Sequence, residues 1–289
     1  MTTDERFEGN AQLSRYLVTD LDGTLLNRSQ VMVPTSLAAL NEFRRRGNEV
    51  ILATGRSEQA ALPFHRAMDL KTPAILYNGA RVVDLASGTV LMERSLPADE
   101  HANLANVATK LDDRFVPVLF AGGSAYVDRR NPVSDAYARK DRIELHQIRS
   151  WQQVGMQQHT KWLFIGPEDE IANLADEIKH AVRSARVVQS ERTYLEVLPP
   201  GTDKGVALQW LMEYLGIGRD HVVAIGDNLN DVELLRTAGI GLGVGDGHPK
   251  LRAAADRVVS ACNEGAVADA VQLTLDILGR TVSADPSGG

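Results

Sequence analysis

Four short apolar runs in this chain each break off at a turn of small and polar residues. Tyr16-Leu17-Val18-Thr19 stops at Asp20-Leu21-Asp22-Gly23-Thr24, and Glu49 to Ala53 stops at Thr54-Gly55-Arg56. Pro73 to Tyr77 stops at Asn78-Gly79, and Val222 to Ile225 stops at Gly226-Asp227. Amphipathic stretches lie between the runs. Leu37, Leu40 and Phe43 recur at helical spacing after Pro34, Gly47 closes that stretch, and Ser57 is a candidate N-cap for the next, which Pro63 interrupts. Continuous apolar runs alternating with amphipathic helices predict a doubly wound parallel sheet covered on both faces, an α/β fold. The rhythm resumes late in the chain with helices over Lys204–Leu215 and Asp231–Thr237, strands over Ile240–Val244 and Arg257–Val259, and a terminal helix over Ala266–Leu278.

The middle of the chain has another pattern. Ser87-Gly88 between two apolar runs signals a hairpin. Helical stretches follow over Asp99–Leu111 and Glu168–Arg183, with strands over Phe115–Phe120, Ala125–Val127, Lys161–Ile165, Val187-Val188 and Leu195–Leu198. This is an α+β region inserted into the α/β rhythm. At roughly 150 residues per domain, a chain of 289 residues has room for two. The expected division is a discontinuous core over 14–84 and 196–280, an inserted cap over 85–195, and flexible tails over 1–13 and 281–289.

Lys and Arg number 31 against 38 Asp and Glu, a net charge of −7, and only 5% of residues are aromatic. An acidic chain repels phosphate backbones, and sparse aromatics give few stacking platforms, so nucleic-acid binding is disfavoured. The single cysteine, Cys262, forms no internal disulfide, and no Cys or His cluster has zinc spacing. The first residues lack the apolar core of a signal peptide, and no apolar run reaches membrane-spanning length. The expected location is cytoplasmic, without a membrane partner. No oligomeric seam is readable.

Ligands of parallel α/β sheets bind beyond the carboxyl ends of the strands. Asp20, Asp22, Asp227 and Asp231 all fall there, at the ends of two separate strands. Carboxylates gathered at one place raise each other's pKa values. A hard, oxygen-seeking dication such as Mg²⁺ relieves that repulsion and neutralises a substrate phosphate. A lysine is then expected nearby, and Lys204 opens a helix directly after the Pro-Pro-Gly-Thr-Asp turn.

DLDGTLL (Asp20 to Leu26), ATGR (Ala53 to Arg56), NGA (Asn78 to Ala80), Pro200 to Gly205 and GDNLND (Gly226 to Asp231) follow one another in an order that resembles the haloacid dehalogenase (HAD) superfamily of phosphatases. The insert makes the chain look like the Cof-type branch, with a Rossmann-type core and a large α/β cap. The resemblance implies a Mg²⁺-dependent phosphatase of small phosphorylated metabolites, such as sugar phosphates or phosphorylated cofactors. It implies Asp20 as the nucleophile that becomes an aspartyl-phosphate and Asp22 as acid and then base. Thr54 and Lys204 would bind the phosphoryl oxygens and offset charge. Asp20, the main-chain carbonyl of Asp22, Asp227 and Asp231 would hold the metal, Asp231 directly or through water. Gly23 and Asn230 would support the site.

Gly55 joins the expected substrate-binding residues with Arg56 and Asn78. Arg56 either forks a phosphate or forms a structural ion pair; Asn78 either contacts phosphate or forms a turn. Where family members have Gly-Asn-Ala, this chain has Gly245-Asp246-Gly247, one more acid near the same ends. The basic positions Arg129-Arg130 and Arg139-Lys140-Asp141-Arg142 are either a solvated face or a second anion contact. Transfer to an alcohol acceptor, as in a phosphomutase, and a non-enzymatic phosphate sensor are the alternative functions.

Overall fold

The computed structural model describes residues 14–155 and 158–283. In chain order the elements are β1 (Tyr16–Thr19), α1 (Pro34–Arg45), β2 (Glu49–Leu52), α2 (Glu58–Ala67), β3 (Ala74–Leu76), β4 (Arg81–Asp84) and β5 (Thr89–Glu93). Then come α3 (Ala98–Lys110), β6 (Val116–Ala121), β7 (Ser124–Val127), α4 (Pro132–Asp141), β8 (Leu145–Gln147), β9 (His159–Ile165), α5 (Ile171–Ala181), β10 (Arg186–Glu191) and β11 (Tyr194–Leu198). The chain closes with α6 (Lys204–Leu215), β12 (Val222–Gly226), α7 (Val232–Thr237), β13 (Ile240–Gly243), α8 (Pro249–Ala254), β14 (Arg257–Val258) and α9 (Ala266–Ser283).

Among the described residues these elements form two compact units, one of 14–54, 64–75 and 203–283, the other of 55–63 and 76–202. The chain therefore crosses between units after Thr54, Pro63, Ile75 and Thr202, where the sequence reading has one insert over 85–195. The β4–β5 hairpin, with Gly88 at φ +75°, falls in the second unit. Of the expected tails, residues 281–283 continue α9 as helix. Residues 1–13 and 284–289 lie outside the described residues.

The first unit is built on a parallel sheet in the order β14-β13-β12-β1-β2, continued beyond β2 by a parallel bridge from Ala53 to Ile75. β1 is central, and all four of its residues are buried. A strand with helices on both faces must be apolar throughout, which is why Tyr16 to Val18 read as a run rather than an alternation. Leu40 and Phe43 of α1 are buried, Pro34 starts that helix with its fixed φ, and Arg44 and Arg45 meet the negative end of its dipole.

The second unit carries a six-stranded sheet in the order β10-β11-β9-β6-β7-β8, antiparallel except for the β7–β8 pair. One face holds an apolar core in which Leu119, Trp162, Phe164, Leu195 and Val197 from the strands meet Leu104 of α3 and Leu174 and Ile178 of α5. Strand alternation sends Phe120, Lys161 and Glu196 to the opposite face.

α4 and β8 are absent from the sequence reading, which has only a basic run there. α4 buries just Ser134 and Tyr137, so it carries no apolar stripe, and it is held instead by the reciprocal cap between Asn131 and Ser134. Arg130 pairs with Asp135 at 2.7 Å and Lys140 with Glu191 at 2.6 Å, so part of that basic run is spent on surface ion pairs. Among the described residues no helix is long and apolar enough to cross a membrane.

Candidate active site

β1 and β12 lie side by side in parallel register, Thr19 beside Ile225. Each strand ends one residue before an aspartate, and the Asp20 amide donates to the Ile225 carbonyl at 3.1 Å. Parallel pairing thus sets Asp20 and Asp227 on neighbouring strand ends, although 207 residues separate them in sequence. Asp231 follows within one short turn, whose amides it holds: its Oδ2 accepts from the Asp227 and Asn228 main-chain N–H groups, both at 3.1 Å. One oxygen from each of Asp20, Asp227 and Asp231 lies within 4.8 Å of the others. An all-carboxylate set this tight suits a hard cation, and the cluster can hold a metal ion.

Lys204 completes the group. It is the first residue of α6, whose N-cap Asp203 accepts from the Val206 amide at 2.8 Å. Its side chain has no exposed surface, and Nζ donates to Asp20 Oδ1 at 2.7 Å and to Asp231 Oδ1 at 2.6 Å. Burial opposes the ammonium charge, but Asp20 and Asp231 outweigh it and raise the Lys204 pKa. Burial pushes the Asp20 carboxyl up to about 7 against the pull of Lys204, with Asp231 and Asp22 adding to the rise. Burial, then Asp20 and Asp231, push Asp227 up to about 8. Three carboxylates against one ammonium leave an excess of negative charge that a proton or a cation neutralises.

Gly23 has φ +82°, and a β-carbon there would sit 2.3 Å from Asp227 Oδ2. Only glycine fits that turn. Asp22, unlike Asp20 and Asp231, is exposed, and its Oδ1 accepts from Gln30 Nε2 at 3.0 Å. Thr54 is buried in the first unit, its amide donating to Ile75 O at 2.8 Å. The structure thus gathers Asp20, Lys204, Asp227 and Asp231, with Gly23 packed against Asp227. Asn230 is half-buried in the turn between Asp227 and Asp231.

Gly55, Arg56 and Asn78 fall in the second unit. Arg56 and Asn78 are buried; the Arg56 carbonyl accepts from the Tyr77 amide at 3.0 Å, and Asn78 Nδ2 donates to Glu196 at 2.9 Å.

Several interactions around the site are absent from the sequence reading. Thr24 is buried and turns its hydroxyl to Asp227 at 3.4 Å. The His248 amide donates to the Asp227 carbonyl at 2.7 Å, and Asn228 caps the short turn before α7. Cys262 is buried with Sγ donating to Thr24 O at 3.2 Å, and burial raises its thiol to about 11. Asp246, the departure from the family pattern, is exposed and accepts the Cys262 amide at 2.9 Å. The cap at Asn228, like that at Asp203, had a sequence signal, a short polar side chain immediately before a helical start.

Residues 17–271 match the haloacid dehalogenase-like hydrolase family. The chain belongs to that family. It is a HAD-type phosphatase of the Cof-type branch. It is 29% identical over 257 residues to the pyridoxal phosphate phosphatase YbhA of Escherichia coli (strain K12), covering 85% of this chain and 93% of that protein. It is 30% identical over 268 residues to the HMP-PP phosphatase of Escherichia coli O6:H1, covering 91% and 97%. Among solved structures, a haloacid dehalogenase-like hydrolase from Bacteroides thetaiotaomicron shares the fold with a TM-score of 0.82 at 24% identity, over 90% of this chain and 99% of that one.

Proposed function

We propose that this HAD hydrolase is a Mg²⁺-dependent phosphatase that cleaves a small phosphorylated metabolite through an aspartyl-phosphate on Asp20. The observation that carries the reading is Lys204 Nζ, fully buried and shared between Asp20 and Asp231 at 2.7 and 2.6 Å. A fixed cation on one oxygen of Asp20 holds that carboxylate at the end of β1 and offsets charge where a phosphoryl group would arrive. An Asp20 oxygen attacks phosphorus as the ester P–O bond breaks, and Asp22 gives its proton to the departing alkoxide. Water then attacks the phosphoryl group, Asp22 takes the proton, and the Asp20 carboxylate is restored with release of phosphate. The exposure of Asp22 suits this role, since it must exchange a proton with incoming and outgoing groups.

Asp20, Asp227 and the Asp22 carbonyl would hold Mg²⁺, which when bound neutralises phosphate charge. Both oxygens of Asp231 are already engaged, one by Lys204 and one by two amides, which favours contact with the ion through water. Thr54 remains the proposed phosphate-end residue of the first unit. The name of the pyridoxal phosphate phosphatase relative favours a phosphorylated cofactor among the candidate metabolites.

The test is phosphate release across a panel of phosphorylated sugars and cofactors, pyridoxal phosphate included, with Mg²⁺ and again with EDTA. Turnover that needs Mg²⁺ and disappears in Asp20→Asn is expected. Near-normal turnover by Asp20→Asn would overturn the reading.

A further inference from the structure

Asp227 follows β12 directly, and two loops of the first unit meet it at different atoms. The turn after β1 meets its carboxylate. A β-carbon on Gly23 would sit 2.3 Å from Asp227 Oδ2, and Thr24 Oγ1 donates to Oδ1 at 3.4 Å. The loop after β13 meets its main chain. The His248 amide donates to the Asp227 carbonyl at 2.7 Å, and a β-carbon on Gly247 would stand 2.6 Å from the same oxygen.

Cys262 is bonded to both loops. Its thiol donates to the Thr24 carbonyl at 3.2 Å and lies 3.6 Å from the Leu26 carbonyl, which also accepts the Gly23 amide at 2.8 Å. Its amide donates at 2.9 Å to Oδ1 of Asp246, the residue before Gly247. The Gly245 amide donates to the Ser260 carbonyl at 3.0 Å, so the segment carrying Cys262 is tied to the loop after β13 at two points.

A buried cysteine commonly serves as a small apolar filler. Cys262, only 4% exposed, has that burial, but its partners ask for more than volume. Thr24 has no exposed surface, so its carbonyl needs a donor from the protein, and the thiol supplies one. A methyl group in the same space would leave that oxygen without it. On the other side, Asp246 is exposed and packs little, and its hold on the Cys262 amide is its tie to this segment.

We propose that Cys262 and Asp246 are positioning residues that fix the turn after β1 against the loop after β13, and so set the affinity of the Asp20–Asp227–Asp231 cluster for a divalent cation. This rests on the Mg²⁺-dependent phosphatase reading above. Each acts through the neighbours of Asp227 rather than by contact with the ion. The loss of either hydrogen bond then weakens cation binding, whatever it does to the stability of the metal-free chain.

The experiment compares wild type with Cys262→Ala and Asp246→Ala, which remove the donor and the acceptor, and with Cys262→Ser and Asp246→Asn, which keep one in each place. On each protein the melting midpoint is titrated with Mg²⁺ at pH 8 after stripping with EDTA, and the Mg²⁺ concentration that half-saturates p-nitrophenyl phosphate turnover is measured. The expected result is cooperative melting in all four variants, with Mg²⁺ affinity lowered about tenfold or more by each Ala variant in both readouts. The Ser and Asn variants should regain most of it. Ala variants that melt lower in EDTA yet bind Mg²⁺ as wild type does would overturn the proposal, because packing alone gives that pattern. So would Ser and Asn variants no better than the Ala ones, or failure of both Ala variants to fold, which would assign the contacts to core stability. A wild type without turnover and without any response to Mg²⁺ would instead sink the phosphatase reading.

Discussion

A lysine without exposed surface survives only where its charge is answered, and Lys204 is answered twice. Replacing it by Met would leave Asp20 and Asp231 buried with no counter-cation. Breaking a buried pair from one side costs about 3 kcal/mol or more, so Lys204→Met is expected to lower the urea midpoint markedly at pH 8. The loss should shrink toward pH 5, where Asp20, which burial raises to about 7, is protonated. Activity should fall by about a hundredfold or more, the scale of losing a preorganised donor. Urea titrations at the two pH values and initial rates with Mg²⁺ check both halves; an unchanged midpoint at pH 8 would remove Lys204 from its place in the charge balance. Lys204 was legible in the sequence as a candidate from its place after a turn. Its pairing with Asp231 was not, because that contact depends on α6 and the turn before α7 coming together, which no local spacing encodes. Thr24 was hidden for the same reason.

At the scale of elements, the approach of α6 to α7 holds that contact. Gly205 is the second residue of α6, and a β-carbon there would stand 2.4 Å from the Glu233 carbonyl oxygen and 2.7 Å from Thr237 Oγ1. The carbonyl belongs to the backbone of α7 and cannot rotate away. Gly205→Ala is therefore expected to push the helices apart at the residue next to Lys204. Overpacking of this kind costs about 1–3 kcal/mol, and the Lys204–Asp231 contact should lengthen with it. Thermal unfolding and kcat together test this: a stable, fully active Gly205→Ala would show that α7 yields without disturbing the lysine. The elements themselves were legible where burial imposes a period. β1, β2, β12 and α1 follow from apolar runs and a helical stripe. α4 and α8 did not follow, since α8 buries only Leu251 and α4 depends on its cap. The distribution of the turns after Thr54 and Ile75 into the second unit was not legible either, because contacts rather than sequence order decide it.

For the molecule as a whole, the acidity has two parts with opposite consequences. Most of the 38 Asp and Glu lie outside the cluster of Asp20, Asp227 and Asp231. Asp20 and Asp227 differ, because folding raises them to about 7 and about 8 from an ordinary value of 3.8. A carboxyl raised by folding binds its proton more tightly in the native state than in the unfolded chain. Between about pH 4 and pH 8 the native state then holds more protons, and stability falls as pH rises through that window. In metal-free protein this contribution is fully present near pH 4 and lost by pH 8. A bound cation takes the place of the protons, so added Mg²⁺ should raise the melting midpoint more at pH 8 than at pH 5. Asp227→Asn removes one of the raised groups and with it part of the slope. In EDTA this variant should melt near wild type at pH 5 and above it at pH 8, by roughly a few degrees for a chain of this size. It should also gain less than wild type from Mg²⁺ at pH 8. Differential scanning calorimetry over that range, with and without the metal, measures all of these quantities. A metal-free variant with the same pH slope as wild type would show that Asp227 is ionised throughout and that the cluster carries its charge without help from a cation.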